Sequence, residues 1–327
     1  MDDIVRQILA CTDKVLSGQA ITKKEALDLL TWGKTEFMYV CAGADKIRCH
    51  FCGDTMDFCA DVNARSGRCS ENCKFCAQSG WYHTGVQEYP LRSVPDLVAE
   101  AIQAEAYGAK RFGLVTSGRD QHDRTQFASL VETVRQIKAK TSLKVCCSLG
   151  LLTTAQLQEL KDAGVYRIHC NLETSQAYFP EICTTHTWHE KADHIRRIQA
   201  VGLDVCAGGI IGLGESEEDR VELALALREF HIKSVPLNIF SPIKGTPFGS
   251  KPVLEPLEIC RTMAMFRYVL PTATIRVCAG REGALRDMQG MALMAGLNGA
   301  MIGGYLTIAG RPPDRDKQLA RDAGRTW

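Results

Sequence analysis

The chain has 327 residues, 45% of them hydrophobic and 24% charged, with a formal net charge of +1. A near-neutral balance without a basic block argues against broad nucleic-acid binding. The opening Met1-Asp-Asp-Ile-Val lacks the basic-then-apolar order of a secretory signal. The most apolar late stretch, 288–304, is interrupted by Gln289, Asn298 and several glycines, so no membrane span is expected and the cytoplasm is the expected location.

Residues 1–45 read as helical, with apolar residues at helical spacing over 2–16 and 23–32 and Thr22 as a cap. From about residue 60, strands and helices alternate. The pattern predicts strands at 61–66, 110–116, 143–149, 165–172, 204–210, 234–240, 274–278 and 300–302. It predicts helices at 93–107, 125–138, 154–163, 188–200, 217–230, 255–268 and 282–293, with Gly108, Gly164 and Gly202 as stops. Such an alternation implies parallel strands with crossover helices, and eight units favour a closed (β/α)8 TIM barrel. A doubly wound sheet is the alternative, but no G-x-G-x-x-G follows the first strand. The expected organisation is an N-terminal helical extension, 1–45, ahead of the barrel, 46–327.

Inward and outward residues alternate along each barrel strand. Polar and thiol residues share one parity: Cys59, Asp61, Asn63 and Arg65, then Arg111, Cys146 and Ser148, His169, Asn171 and Glu173, Cys206, Asn238, and finally Arg276 and Cys278. A barrel interior is ordinarily filled by branched apolar side chains. This one is expected to enclose a cavity that holds something.

Fifteen cysteines in a chain without signs of secretion point to metal or redox chemistry. Cys11, Cys170, Cys183 and Cys260 read as small buried apolar residues. Cys69-Ser-Glu-Asn-Cys73-Lys-Phe75-Cys76 has C-x₃-C-x₂-C spacing. Three thiolates so placed can hold three irons of a [4Fe–4S] cube and leave the fourth open to a substrate. A rival grouping, Cys49, Cys52, Cys73 and Cys76, fits a structural zinc pattern but leaves Cys69 surplus. A zinc or iron–sulfur structural protein is therefore the non-enzymatic alternative.

The same loop is identified as the radical S-adenosylmethionine (SAM) signature, with Phe75 as its aromatic. The stretch from Asn63 to Ser79 resembles the biotin synthase family closely. So do Asn171-Leu-Glu-Thr-Ser175, Gly208-Gly-Ile-Ile-Gly-Leu-Gly-Glu215, Val235-Pro-Leu-Asn-Ile239, Lys244-Gly-Thr-Pro247 and Arg276-Val-Cys-Ala-Gly-Arg-Glu282. The similarity runs from about residue 20 onward. It implies a homodimeric barrel with a [4Fe–4S] cluster, an auxiliary iron–sulfur cluster and SAM, converting dethiobiotin to biotin by sulfur insertion. It also implies a flavodoxin- or ferredoxin-type electron donor and cluster-repair proteins, with no nucleic-acid or membrane partner. A related radical SAM enzyme acting on another small molecule is the alternative.

By the resemblance, Cys69, Cys73 and Cys76 hold the SAM cluster and Phe75 lies beside adenine. Asn171 and Glu173 hold SAM or lie between it and dethiobiotin, the family often having Asp where Glu173 stands. Lys191 replaces an Arg, which implies a weaker carboxylate clamp. Asn238 contacts substrate, and the turn around Gly212 resembles a backbone cradle for the adenosine. Cys146, Cys206 and Arg276 match three of four auxiliary-cluster ligands. The fourth position, on strand two, is Gly113. Cys59 is the expected replacement and Cys278 the alternative. A glycine there is expected to free volume for a four-iron cluster with an extra sulfide; a rewired [2Fe–2S] is the second option, and a lost auxiliary site, in a different radical enzyme, the third.

Overall fold

The computed structural model describes residues 3–308 and 310–327. Three helices come first: α1 (Asp3–Leu16), α2 (Lys23–Trp32) and α3 (Phe37–Cys52). On α1, Val5, Ile8, Cys11, Thr12 and Val15 form one buried stripe at helical spacing. Asp2, expected to start this helix, lies outside the described residues. Thr22 caps α2 as expected: its hydroxyl accepts from Glu25 N–H while the Glu25 carboxylate accepts Thr22 N–H. The expected boundary at 45/46 falls within α3, which is one continuous helix.

The alternation follows as β1 (Asp57–Arg65), α4 (Val94–Ala106), β2 (Arg111–Thr116), α5 (Arg124–Lys140), β3 (Lys144–Ser148), α6 (Thr154–Asp162) and β4 (Arg167–His169). Next come α7 (Phe179–Ile182), α8 (Trp188–Val201), β5 (Asp204–Cys206), β6 (Gly209–Ile211), α9 (Glu217–Glu229), β7 (Ser234–Ile239) and α10 (Pro256–Val269). The chain ends with β8 (Thr274–Val277), α11 (Arg281–Leu285), α12 (Gln289–Met294), β9 (Gly299–Met301) and α13 (Pro313–Asp322). Every strand pairing is parallel, and the ring closes through β9–β1 and β5–β7. This is the (β/α)8 barrel that the alternation implied.

Two expected elements are broken. The strand expected at 204–210 is split into β5 and β6, which together fill one stave. The interruption faces Pro236 of β7, which has no N–H to give the ladder, and Gly208 packs so close that a Cβ would meet Pro236 O at 1.9 Å. Its N–H goes to Asn171 Oδ1 instead, at 3.0 Å. The helix expected at 282–293 breaks at Arg286, whose φ of 52° is left-handed, and a short 3₁₀ turn separates α11 from α12. Short α7 and α13 carry weak patterns and were not expected. No described helix is long and apolar enough to cross a membrane.

Candidate active site

The deep end of the barrel is an ionic floor. Asp57 of β1 accepts from Arg276 Nη2 at 2.9 Å and from Arg111 Nε at 2.9 Å. Burial works against its charge, yet Arg276 and Arg111 hold the carboxyl below its usual range. Arg276 Nη1 donates to Ser234 Oγ at 2.7 Å, and that hydroxyl donates to Cys206 Sγ at 3.2 Å. Both terminal nitrogens of Arg276 are thus engaged, while its buried Nε has no partner among the described residues.

Above the floor, a cavity of about 330 Å³ is lined by six cysteines, of which Cys59, Cys146, Cys206 and Cys278 share the inward parity, with Arg111, Arg167 and Arg276 around them. The shared inward parity read from the sequence is what gathers them. Burial pushes the Cys59 thiol well up and that of Cys146 to about 12, and neighbouring thiols add to both shifts. Cys278 is raised likewise, by burial first. Alone, these thiols keep their protons; a soft metal centre would displace them, and the three guanidinium groups would offset its negative charge. Cys147, of opposite parity, is buried in the apolar core and also borders the cavity.

The room expected at Gly113 is taken. Register pairs Gly113 with Asp61, and a Cβ at 113 would lie 2.1 Å from Asp61 Oδ1. The carboxylate, not empty space, occupies the position. Burial pushes Asp61 upward, opposed by His169, Cys59 and Arg276.

Toward the open end, Asn171 Nδ2 donates to Glu173 Oε2 at 3.3 Å. Glu173 has φ 67°, a strained backbone for a non-glycine residue. Asn238 of β7 accepts Ala279 N–H at 3.2 Å and also lines the cavity. A second cavity of about 150 Å³ shares Ser148, His169, Asn171 and Glu173 with the first and adds Arg119, His186 and Lys191. Burial acts to lower Lys191, but Cys170, Glu173 and Cys73 outweigh it and keep the ammonium charged. Gly212 lies apart from both cavities: its N–H donates to Glu215 Oε1 at 2.7 Å in the β6–α9 turn.

The three-cysteine loop leaves the C-terminal end of β1. Cys69 N–H donates to Gln78 O at 3.0 Å and Gly80 N–H to Cys69 O at 2.8 Å, closing the loop on itself. Backbone N–H groups of Glu71 and Gly118 point at the Cys69 sulfur, and those of Gln78 and Ser79 at the Cys76 sulfur. Burial pushes Cys76 to about 11 against those donors. Amide donors aimed at thiolates, with the third thiol within electrostatic reach, suit a cluster ligand loop. Phe75 lines the main cavity and packs on the apolar group of Phe179, Ile182, Leu213, Phe240 and Phe248.

One neighbour escaped the sequence reading. Cys183, expected to be inert core, lies beside this loop: Cys73 Sγ donates to it at 3.7 Å. His186 Nδ1 is 3.3 Å from Cys183 Sγ and 2.5 Å from Glu71 Oε2. Asn72 pins the two segments together, donating to Thr184 Oγ1 at 2.7 Å and accepting Thr184 N–H at 2.9 Å. The Cys-Thr-Thr-His spacing at 183–186 was the available signal. Cys49 and Cys52 join no ligand group with Cys73 and Cys76 among the described residues; Cys49 is exposed and Cys52 lies against Pro271 O and Ala273 O. The four-cysteine zinc grouping is not assembled.

Comparison with known proteins gives one consistent answer. Residues 64–227 match the model of the radical SAM superfamily, and 236–326 that of the biotin and thiamin synthesis associated domain. The biotin synthase of Pelotomaculum thermopropionicum is 48% identical over 309 residues, 94% of this chain and 96% of that one. That of Desulforudis audaxviator is 47% identical over 312 residues, 95% and 94% of the two chains. In fold, the chain is similar to methylornithine synthase (PylB), with TM-score 0.84, 18% identity, and 97% and 96% of the chains covered. It is also similar to HydG, a maturase of the [FeFe]-hydrogenase, with TM-score 0.83, 17% identity, and 98% and 75% covered.

Proposed function

This chain belongs to the biotin synthase family of the radical SAM superfamily, and on that premise we propose how its residues share the conversion of dethiobiotin to biotin. When bound, the [4Fe–4S] cluster, SAM and the auxiliary iron–sulfur cluster supply the electron, the 5′-deoxyadenosyl radical for an unreactive C–H bond, and the sulfur. We assign Cys69, Cys73 and Cys76 to the first cluster, with Phe75 beside the nucleoside. Asn171, Glu173 and Lys191 face the cavity shared between SAM and substrate, and Asn238 faces dethiobiotin from β7. Lys191 presents a point charge, which steers a carboxylate without the two-point grip of an arginine. The Gly212 turn would act on the adenosine only from behind, through Ile210 of β6, which lines the main cavity.

Cys59, Cys146, Cys206 and Arg276 are assigned to the auxiliary cluster, with Cys278 as the alternative to Cys59. The buried Nε is the nitrogen of Arg276 not already engaged. The observation that carries this reading is one cavity with the thiol layer at its base and Phe75 and Cys76 at its mouth. A substrate held there would lie between radical and sulfur, and the closed barrel wall keeps water from the radical. We read residues 1–45 as a helical extension and 46–327 as the barrel, with α3 spanning the two. The resemblance further supports a cytoplasmic homodimer, fed by a flavodoxin- or ferredoxin-type donor and maintained by cluster-repair proteins.

The test is anaerobic incubation with SAM, a low-potential reductant and dethiobiotin. Biotin and 5′-deoxyadenosine are expected together, and both should vanish in Cys76→Ala. SAM cleavage without biotin would point to another small-molecule substrate. Iron and sulfide counts settle the auxiliary type: about eight irons per chain for a four-iron cluster, about six for a two-iron one.

A further inference from the structure

Asp61 is an acid inside the barrel with no part in either cluster site as assigned. It follows Cys59 by two residues on β1, so both point inward. Asn63, two residues further, donates through Nδ2 to Gln78 Oε1 at 3.3 Å, on the three-cysteine loop. Asp61 therefore stands one step along β1 from Cys59 toward the loop, in register through Gly113 with Cys146. Gly113 is what leaves the carboxylate its place, since any side chain there would overlap Oδ1. The only side-chain hydrogen bond of Asp61 among the described residues is a long one from Cys59 Sγ to Oδ1, at 3.7 Å. Oδ2 has none, and the surface that Asp61 keeps is cavity wall.

A carboxylate sealed in a barrel with so few donors is costly unless something that enters supplies one. Iron–sulfur clusters favour thiolates over carboxylates, and Cys59, Cys146, Cys206 and Cys278 already line this cavity. The organic substrate is the better match. Resting on the reading of dethiobiotin as substrate, its reacting carbons must lie between the SAM side and the sulfur side, in the cavity that Asp61 lines beside the thiols. Next to those carbons it carries a cyclic urea whose two N–H groups diverge on either side of the carbonyl. One carboxylate can take one of them.

We propose that Asp61 binds dethiobiotin directly, accepting one of the two N–H groups of its cyclic urea and so fixing the rotation of the ring beside the thiols. The pairing of Asp61 with Gly113 then serves substrate orientation, and the auxiliary ligands come from the thiols beside it.

The experiment is equilibrium binding of dethiobiotin to the cluster-loaded, SAM-bound protein without reductant. Asp61→Leu is expected to weaken binding by roughly tenfold to a hundredfold, the range for a hydrogen bond to a charged group. Asp61→Asn, which keeps the shape and drops the charge, should lose less. SAM affinity and the iron and sulfide counts should stay as in the wild type. Of two dethiobiotin analogues methylated at one or the other ring nitrogen, the wild type should reject one more strongly, and Asp61→Leu should lose that preference. Unchanged dethiobiotin affinity in both variants would overturn the proposal. So would loss of iron in both, which would make Asp61 a cluster ligand. If the wild type itself fails to bind dethiobiotin, the substrate reading fails along with it, whereas binding that ignores residue 61 sinks only the contact.

Discussion

His194 gives the sharpest pH prediction. It is fully buried on α8, and neither ring nitrogen has a partner among the described residues. Burial first, then Arg197 and Lys191, lower its pKa from 6.5 to about 4. Unfolding returns the imidazole to its ordinary value. Between those two pH values the unfolded chain binds more protons than the folded one, so stability falls as the pH falls. Those values give a loss of about 2 kcal/mol between roughly pH 7.5 and pH 5, rising to about 3 kcal/mol near pH 4. Because α8 also carries Lys191 to the second cavity, the same titration loosens a wall of the site. Urea unfolding of wild type and His194→Leu at the two pH values tests this. The wild type should lose about 2 kcal/mol more than the variant on acidification. Equal losses would refute the reasoning, because the imidazole would then not be held neutral by the fold.

Glu173→Gly should relieve the left-handed backbone and raise stability by about 1 kcal/mol while abolishing SAM-dependent chemistry; thermal melts and 5′-deoxyadenosine release report the two effects. Cys183→Ser should retain the iron of the SAM cluster and Cys73→Ser should lose it, although the two sulfurs are only 3.7 Å apart; iron assay of anaerobic protein decides. Arg281→Met removes the donor at 2.6 Å from buried Asp316 Oδ1, leaving only Arg311 Nε at 3.7 Å, and should destabilise by about 3 kcal/mol. Adding Asp316→Leu should recover much of that loss, read as a rise in the melting midpoint.

The barrel was legible because its signals are local. Period-two strands, amphipathic helices and capping glycines repeat every few residues, and Thr22 with Glu25 forms its cap within one turn. The three-cysteine loop was legible for the same reason. What escaped depends on partners far along the chain. Cys183 meets Cys73 only after β4 and its loop bring them together. The role of Gly113 depends on register with Asp61 across β1 and β2, so the glycine looked like room when it is a seat for a carboxylate. The break in the fifth stave comes from Pro236 on β7, and within 204–210 only the pair Gly208–Gly209 hints at it. α3 was left short because its cysteines, glycine and histidine blur the helical period, although its buried face packs on the core.

The central claim is that sulfur enters the product from a cluster held by the thiols at the base of the barrel. The most direct measurement rebuilds both clusters with heavy-isotope sulfide, removes free sulfide, and runs one turnover with SAM, reductant and dethiobiotin under mass detection. The account predicts biotin carrying the heavy isotope from the wild type, and none from Cys146→Ala even where SAM is still cleaved. Biotin with light sulfur, or labelled biotin formed equally well by Cys146→Ala, would contradict it.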